Sequence, residues 1–198
     1  MHGVVSLLDD NSSRMVEKLW AEIEREFGIR GVYQTPYPHI SYHVAGEYQV
    51  DKVKTVMQVF ARHTAPFRVK CCGLGVFTGT EPVLYIPVVR SPPLAEFQDE
   101  LWHQLTKSSG QHVEFAYRPA RWVPHITLAH GDLTQRALGA IVRRFCAAEL
   151  NHSVTINNLA LIYEVGGKAE VIYRVNLNEG GTLGAKHHRP WSNSRYER

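Results

Sequence analysis

The sequence predicts an internally duplicated α+β fold, in which antiparallel sheets flanked by helices form two lobes around a central cleft. Segments with helical spacing of apolar residues alternate with short runs rich in β-branched and aromatic residues. Their order is strand, helix, strand, helix, strand, strand, followed by helix, strand, helix, strand, strand. A five-residue motif containing a histidine occurs once in each half, which supports the duplication.

Four segments have the apolar periodicity of amphipathic helices. In the clearest, residues 13–27, apolar side chains recur at helical spacing, charged residues occupy the other side, and Gly28 is a stop signal. Pro92 and Pro93 open another helix, and Thr134 is a typical N-cap. The predicted helices are residues 13–27, 50–62 and 94–108, and a segment that runs from Thr134 through residue 145.

The predicted strands are short segments bounded by glycine, proline and polar residues. Two pairs of them are predicted to form hairpins, one around residues 78–82 and one around residues 164–168. The predicted strands are residues 4–8, 39–44, 67–77, 83–89, 122–129, 154–163 and 169–177.

Residues 1–178 are predicted to form one bilobal domain, in which elements of the two lobes are free to interleave. Residues 179–198 are rich in glycine, histidine, arginine, asparagine and serine and lack periodic apolar residues. Such a composition cannot bury enough apolar surface to order itself, so we expect a flexible tail there.

The composition is that of an ordinary folded protein, with 44% hydrophobic and 21% charged residues among 198. A formal charge of +3 favours anionic ligands, but the sequence lacks the clustered basic runs of a dedicated nucleic-acid coat. No apolar run approaches the roughly 20 residues of a membrane span, and the first residues have no positive leader. We therefore expect a monomeric cytoplasmic protein that does not bind membranes.

The cysteines and histidines bear on metal binding. Cys71, Cys72 and Cys146 form no C-x-x-C pair, which indicates buried reduced thiols rather than a structural zinc. The 11 histidines leave a metal site open as an alternative. No acidic ligand lies at suitable spacing beside either histidine motif, however, so we expect no metal and no cofactor.

The two motifs are Pro-His-Ile-Ser-Tyr at residues 38–42 and Pro-His-Ile-Thr-Leu at residues 124–128. Each falls on a predicted strand. Because side chains alternate between the two faces of a strand, His39 and Ser41 share one face, and His125 and Thr127 do the same. Each strand would then present an imidazole and a hydroxyl about 7 Å apart toward the cleft.

This pattern suits phosphodiester chemistry. The unperturbed pKa of histidine, about 6.5, allows one imidazole to accept a proton while the other donates one. Acid and base must stand on opposite sides of phosphorus because the entering and leaving oxygens are roughly in line. His39 and His125 are therefore the candidate catalytic residues, and Ser41 and Thr127 are candidates to bind the non-bridging phosphate oxygens.

The paired motifs resemble those of the two-histidine (2H) phosphoesterase superfamily, whose hallmark is two His-x-Thr/Ser motifs. Within it, the sequence is most similar to the 2′-5′ RNA ligase-like, RNA 2′,3′-cyclic phosphodiesterase group, in the order of elements over residues 4–177. The resemblance implies a bilobal duplicated fold, no metal, and hydrolysis of a 2′,3′-cyclic phosphate at an RNA or nucleotide terminus to a 2′-phosphate. It also implies that His125 is the base toward water and His39 the acid toward the leaving oxygen.

The sequence departs from this group at two positions. Ser41 stands where threonine is common, which keeps the hydroxyl, and His130 stands where an arginine often follows the second motif histidine by five residues. Candidate substrate contacts are His43, which shares a face with His39 by alternation, together with His130, Arg121, Tyr37 and Tyr33. Arg118 and Arg90 are single loop arginines of the kind that is usually solvated.

The sequence is also compatible with two alternative functions. One is a 2H enzyme that acts on another cyclic nucleotide or on a 2′-5′ linked oligonucleotide. The other is a non-catalytic RNA-binding or nucleotide-binding protein that retains the cleft without turnover.

Overall fold

The computed structural model of the protein describes residues 2–110, 112–165 and 168–178. This part of the chain contains four helices and nine strands, with two additional 3-10 turns at Gly31–Gln34 and Phe115–Tyr117. The elements are β1 (His2–Leu7), α1 (Asp10–Phe27), β2 (His39–Ala45), α2 (Val50–Arg62), β3 (Phe67–Cys71), β4 (Gly75–Phe77), β5 (Val83–Pro87), α3 (Pro92–Thr106), β6 (His125–Ala129), α4 (Gln135–Phe145), β7 (His152–Ile156), β8 (Asn158–Val165) and β9 (Lys168–Asn176).

The strands form antiparallel sheets, as the sequence predicts, and the two halves of the chain interleave. A four-stranded sheet, the first sheet, has the order β2-β1-β8-β9. A three-stranded sheet, the second sheet, has the order β4-β5-β6, while β3 pairs with β7. The C-terminal hairpin therefore completes the sheet that carries the first motif, and strands from the first half complete the sheet that carries the second.

The sequence merges two pairs of strands that the structure separates. The predicted strand 67–77 is broken between β3 and β4, where Gly73 takes a left-handed φ of 63°. The predicted strand 154–163 is likewise divided at Asn157 into β7 and β8. In both cases the two pieces belong to different sheets, and a continuous apolar run does not show where its pairing partner changes. The tail predicted at residues 179–198 lies outside the described residues.

Capping residues fix both ends of α1 and the start of α4. The Asp9 carboxylate accepts the Ser12 backbone N–H at 3.0 Å and begins α1, three residues before the predicted start. Gly28 ends α1 with a φ of 71° and donates its N–H to the Glu24 carbonyl. The predicted Thr134 cap of α4 is confirmed by its bond from the Ala137 N–H at 3.2 Å.

The main hydrophobic core lies between the helices and the covered faces of the sheets. Trp20 and Ile23 of α1, Met57 of α2 and Leu101 of α3 are all buried in it. A smaller cluster, Val5 with Ala160 and Ile162, lies on the opposite face of the first sheet. That opposite face forms part of the cleft. None of the described helices is both long and apolar enough to cross a membrane.

The prediction of buried thiols is correct for one cysteine and wrong for two. Cys71, at the end of β3, is buried, and burial raises the pKa of its thiol to about 12. Cys72 and Cys146 are exposed, and each lies just after the last residue of its strand or helix, outside the packed element.

Two hydrogen bonds and one close backbone contact join the loop before β2 to the loop after β6. The Asp132 carboxylate accepts the backbone N–H groups of Arg30 at 2.7 Å and Gly31 at 2.9 Å. The His130 carbonyl lies directly against the α-carbon of Gly31, where a side chain would overlap it. This contact fixes the two loops that flank the histidine strands.

Gly31→Ala should destabilise the protein by about 1–3 kcal/mol, because the added methyl group meets a backbone carbonyl that cannot rotate away. Urea unfolding measures the change. Gly139→Ala is the matched control, since this helical glycine has open space around it and the substitution should stabilise by about 0.5–1 kcal/mol. A Gly31→Ala variant as stable as the wild type would contradict the packing described here.

Candidate active site

A cleft between the first and second sheets has a cavity volume of about 560 Å³. Strand β2, at the edge of the first sheet, contributes His39 and Ser41 to its lining. Strand β6, at the edge of the second sheet, contributes His125 and Thr127. All four residues are partly exposed. The structure thus brings together on one cleft the four residues of the two motifs.

The residues next to the motif histidines and hydroxyls on β2 and β6 point into the core instead. Ile40 and Tyr42 of β2 and Ile126 of β6 are fully buried, and Leu128 is nearly so. This alternation turns the imidazoles and hydroxyls toward the cleft because the apolar side chains are held in the core.

The two imidazoles are held in the same way. Nδ1 of His39 lies 2.5 Å from the Tyr37 carbonyl oxygen, and Nδ1 of His125 lies 2.8 Å from the Val123 carbonyl oxygen. A carbonyl oxygen only accepts, so Nδ1 carries the proton in both rings. Nε2, the nitrogen that can take up or release a proton, has no partner among the described residues in either ring.

Burial lowers the pKa of both histidines. For His39 the loss of solvent is the main cause, the bond to Tyr37 opposes it, and positive charge on His125 or His130 lowers the pKa further. The pKa of His125 is lowered by burial and raised in part by its bond to Val123. Positive charge on His125 is thus one of the causes that lower the pKa of His39, and both rings line the same cleft.

Each motif strand is hydrogen-bonded to a tryptophan from the other half of the chain. The indole N–H of Trp20 donates to the Thr127 carbonyl at 3.0 Å, and that of Trp122 donates to the Ser41 carbonyl at 2.9 Å. Both indoles are buried. From the sequence, Trp20 is one of the apolar residues of the helix predicted at residues 13–27, and such a pattern does not show which polar atom a buried indole meets.

Tyr117 also belongs to the site, although the sequence carried no signal for it. Like Ser41, it lines the cleft, and burial raises the pKa of its phenol, an effect that the nearby Ser41 hydroxyl partly offsets. Its backbone carbonyl accepts from the Gln98 amide at 2.8 Å, and the same amide donates to the Tyr42 carbonyl at 3.1 Å. Tyr117 lies on a loop about 76 residues after Ser41 in the sequence, and no local pattern links the two.

Two aromatic rings pack against His125 on one side. The Phe77 ring meets the imidazole edge-on at 4.9 Å between centroids and stacks on Tyr85 at 4.2 Å. Tyr85 itself lies 5.3 Å from the imidazole. These rings exclude water from one side of His125 and provide an apolar surface within the cleft.

The candidate substrate contacts divide into two groups. His130 and Arg121 line the cleft, and burial lowers the pKa of His130 while Asp132 opposes the effect. Tyr33 and Tyr37 are not part of its lining. Tyr33 packs edge-on against Trp20. Tyr37 packs against the small cluster on the cleft face of the first sheet, so a contact between Tyr37 and a substrate stays a prediction.

The prediction that His43 shares the cleft face is wrong. His43 pairs with Val4, but Ser41 pairs with Val5, so Tyr42 is an extra residue that forms a β-bulge. The bulge breaks the alternation and turns His43 into the core, where its exposure is 0%. Its ring nitrogens meet the Tyr48 hydroxyl at 2.6 Å and the Thr106 hydroxyl at 3.3 Å.

Within the described residues, no group of three or more histidine, cysteine, aspartate or glutamate side chains is arranged to hold a metal ion.

Two strands that each carry a histidine and a hydroxyl, set at facing sheet edges of a duplicated α+β fold, define a two-histidine phosphoesterase. The family model of the 2′-5′ RNA ligase superfamily matches residues 9–168, and the chain belongs to that superfamily. The resemblance inferred from the two motifs is confirmed.

Known proteins are similar to this chain in sequence and in fold. The chain is 26% identical over 145 residues to "Putative phosphoesterase Bcer98_0945" of Bacillus cytotoxicus, covering 70% of this chain and 79% of that protein. Its fold is similar to the crystal structure of TT0787 of Thermus thermophilus, with a TM-score of 0.63, 18% identity and coverage of 89% and 97% of the two chains. A crystal structure described as a phosphoesterase gives a TM-score of 0.53 at 16% identity, over 89% of this chain and 97% of that one. The predicted fold is confirmed.

His43 should make the protein less stable in acid. Burial lowers the pKa of His43 from 6.5 to about 4, so the unfolded chain binds this proton before the folded one does. Stability from the neutral ring is therefore complete above pH 6.5 and is lost as the pH falls toward 4. The loss amounts to about 2 kcal/mol between pH 7 and pH 5.

Urea unfolding at pH 7 and pH 5 measures this loss for the wild type and for His43→Gln, which cannot titrate. The difference between the two pH values should shrink in His43→Gln. It should persist in the control His103→Gln, because His103 is an exposed histidine on α3. An unchanged pH dependence in His43→Gln would rule out His43 as the cause.

Proposed function

We propose that the protein hydrolyses a 2′,3′-cyclic phosphodiester at an RNA or nucleotide terminus to a 2′-phosphate, without a metal ion, by acid and base catalysis from His39 and His125. One observation carries the proposal. Both imidazoles use Nδ1–H to bind the carbonyl two residues upstream, which leaves both Nε2 atoms for the same cleft.

The proposed reaction uses one neutral and one protonated imidazole. Nε2 of His125 takes a proton from water as the water oxygen bonds to phosphorus. The bond from phosphorus to the 3′ oxygen breaks, and protonated Nε2 of His39 gives its proton to that oxygen. The products are a 2′-phosphate and a free 3′ hydroxyl. Exchange with solvent then returns His125 to the neutral form and His39 to the protonated form.

The hydroxyls and neighbouring donors suit the charge that develops on the phosphate. Ser41 and Thr127 flank the cleft from its two edges, where each can donate to a non-bridging oxygen. Tyr117 lies near Ser41 and places its side chain in the same cleft lining. Arg121 and His130, which also line the cleft, provide further donors.

The rest of the cleft suits a nucleoside. Its walls include the apolar side chains of Val5, Val83 and Ile162 and the ring of Phe77. A cavity of about 560 Å³ falls within the usual range for small-molecule sites. An apolar wall beside a phosphate-binding edge fits a base and ribose attached to a cyclic phosphate.

Replacing either His39 or His125 with alanine should reduce kcat on a 2′,3′-cyclic mononucleotide by roughly 100-fold or more, the usual contribution of general acid or base catalysis. Binding of the substrate should change little. Turnover and binding are measured separately in the presence of a chelator. His103→Ala, on the exposed face of α3, is the control and should keep full activity.

The possible results separate the competing functions. Wild-type activity that disappears with the chelator would establish a metal-dependent enzyme. Turnover that survives both alanine substitutions would remove the histidines from catalysis. Cyclic nucleotides of other ring types and 2′-5′ linked oligonucleotides, tested in the same assay, show whether another phosphodiester is the better substrate.

The pH profile of kcat/KM should be bell-shaped, with its maximum below pH 6.5. Catalysis needs one ring neutral and the other protonated, and burial lowers the pKa of both rings. Above pH 6.5 both rings are neutral in most molecules, so kcat/KM should fall about tenfold for each further pH unit. Bound phosphate favours the protonated ring, so the kcat profile should lie at higher pH. A kcat/KM that is flat or still rising at pH 8 would contradict the scheme.

A further inference from the structure

An exposed phenylalanine beside the cleft holds two arginines. The side chain of Phe115 is 48% exposed. The guanidinium carbon of Arg118 lies 4.4 Å from its ring centroid, and that of Arg121 lies 4.3 Å from it. The negative faces of an aromatic ring offset part of the repulsion between two cations placed so close together.

The segment that carries these residues is fixed to the active site. The Arg118 carbonyl accepts two backbone bonds, from Arg121 at 2.8 Å and from Trp122 at 2.9 Å. The buried Trp122 indole then bonds the Ser41 carbonyl. From the other side, the Arg90 guanidinium donates to the Pro119 carbonyl at 2.7 Å. Arg90, Phe115, Arg118 and Arg121 therefore form one preorganised patch, here called the arginine surface.

The arginines of this surface lack acidic partners within the described part of the chain. Other arginines are paired there: Arg144 binds Glu22 and Glu26, and Arg30 binds Glu24. No such ion pair between described residues involves Arg90, Arg118 or Arg121. Exposed guanidinium groups gathered without carboxylates are suited to an external anion.

The position of the arginine surface indicates the path that an anionic chain would take out of the cleft. Arg121 lines the cleft itself, whereas Arg118 and Arg90 lie outside its lining, so the surface begins in the cleft and continues beyond it. Glu81 lines the cleft as well, on the loop between β4 and β5. An anionic chain leaving the cleft is attracted along the arginines and repelled from Glu81.

We propose that the arginine surface binds the phosphodiester backbone of an RNA strand whose cyclic-phosphate end occupies the cleft. This inference rests on the proposed function and narrows it, because the preferred substrate is then an oligonucleotide rather than a mononucleotide. Guanidinium groups suit this role since they bind phosphate oxygens in pairs and stack on exposed bases.

The experiment compares kcat/KM on a 2′,3′-cyclic mononucleotide and on a short single-stranded RNA that ends in the same cyclic nucleotide. The wild type should prefer the RNA, and that preference should decline as salt increases. Arg118→Glu should lower kcat/KM on the RNA roughly tenfold, mainly through KM, and leave the mononucleotide unaffected. Phe115→Ala should give a smaller loss on the RNA, because the arginines remain but are no longer held together.

Arg143→Glu is the matched control, since it makes the same charge change at an exposed position in the last turn of α4, outside the cleft lining. It should leave the preference for RNA intact. Equal loss of activity on both substrates in Arg118→Glu, or a wild type without preference, would overturn the inference while leaving the proposed function in place. Competition by polyglutamate as effective as that by unmodified RNA would overturn the assignment to nucleic acid.

If neither substrate is turned over, the proposed function fails. The arginine surface is then tested by binding alone, with fluorescence anisotropy of the same RNA carrying a 3′-phosphate. Arg118→Glu should weaken that binding roughly tenfold relative to Arg143→Glu. Equal affinities would overturn the inference independently of catalysis.

Discussion

The candidate active site depends on the hydrogen bonds of two buried indoles, each of which joins a motif strand to the other half of the chain. Strands β2 and β6 are edge strands, and an unpaired carbonyl at a buried edge is costly unless a donor reaches it. Trp20 provides that donor for Thr127, and Trp122 provides it for Ser41. The residues bonded in this way are the hydroxyl positions of the two motifs. The edges therefore stay close enough to share a cleft without merging into one continuous sheet, which would close it.

The two histidines are held by equivalent hydrogen bonds, but their surroundings differ. The two imidazoles have the same tautomer because each binds the carbonyl two residues upstream. Around them, however, His125 is enclosed by the rings of Phe77 and Tyr85, while His39 senses the charges of two other histidines. Such differences allow otherwise equivalent groups to take different protonation states in one reaction.

Much of this arrangement could be predicted from the sequence, because strand alternation is a local property. It predicts that the histidine and the hydroxyl residue of each motif face the same side of their strand, as long as that strand is regular. The same rule fails for His43, since the bulge at Tyr42 depends on how β2 pairs with β1 and not on β2 itself. The approach of Tyr117 to Ser41 and the two indole hydrogen bonds could not be predicted from the sequence either. They join residues that are distant in the chain, and no pattern within either segment records them.

The interleaved sheets also constrain how the chain acquires its structure. Strand β1 pairs with β8, as in Val4 with Leu161, so the first sheet closes only after almost the whole described chain is available. Contacts this far apart in sequence slow folding, and one edge of β1 has no permanent partner during synthesis on the ribosome. Neither duplicated half contains a complete sheet of its own. Cutting the chain in the middle would therefore separate β1 from β8 and β5 from β6, so both motifs need the whole chain to share one cleft.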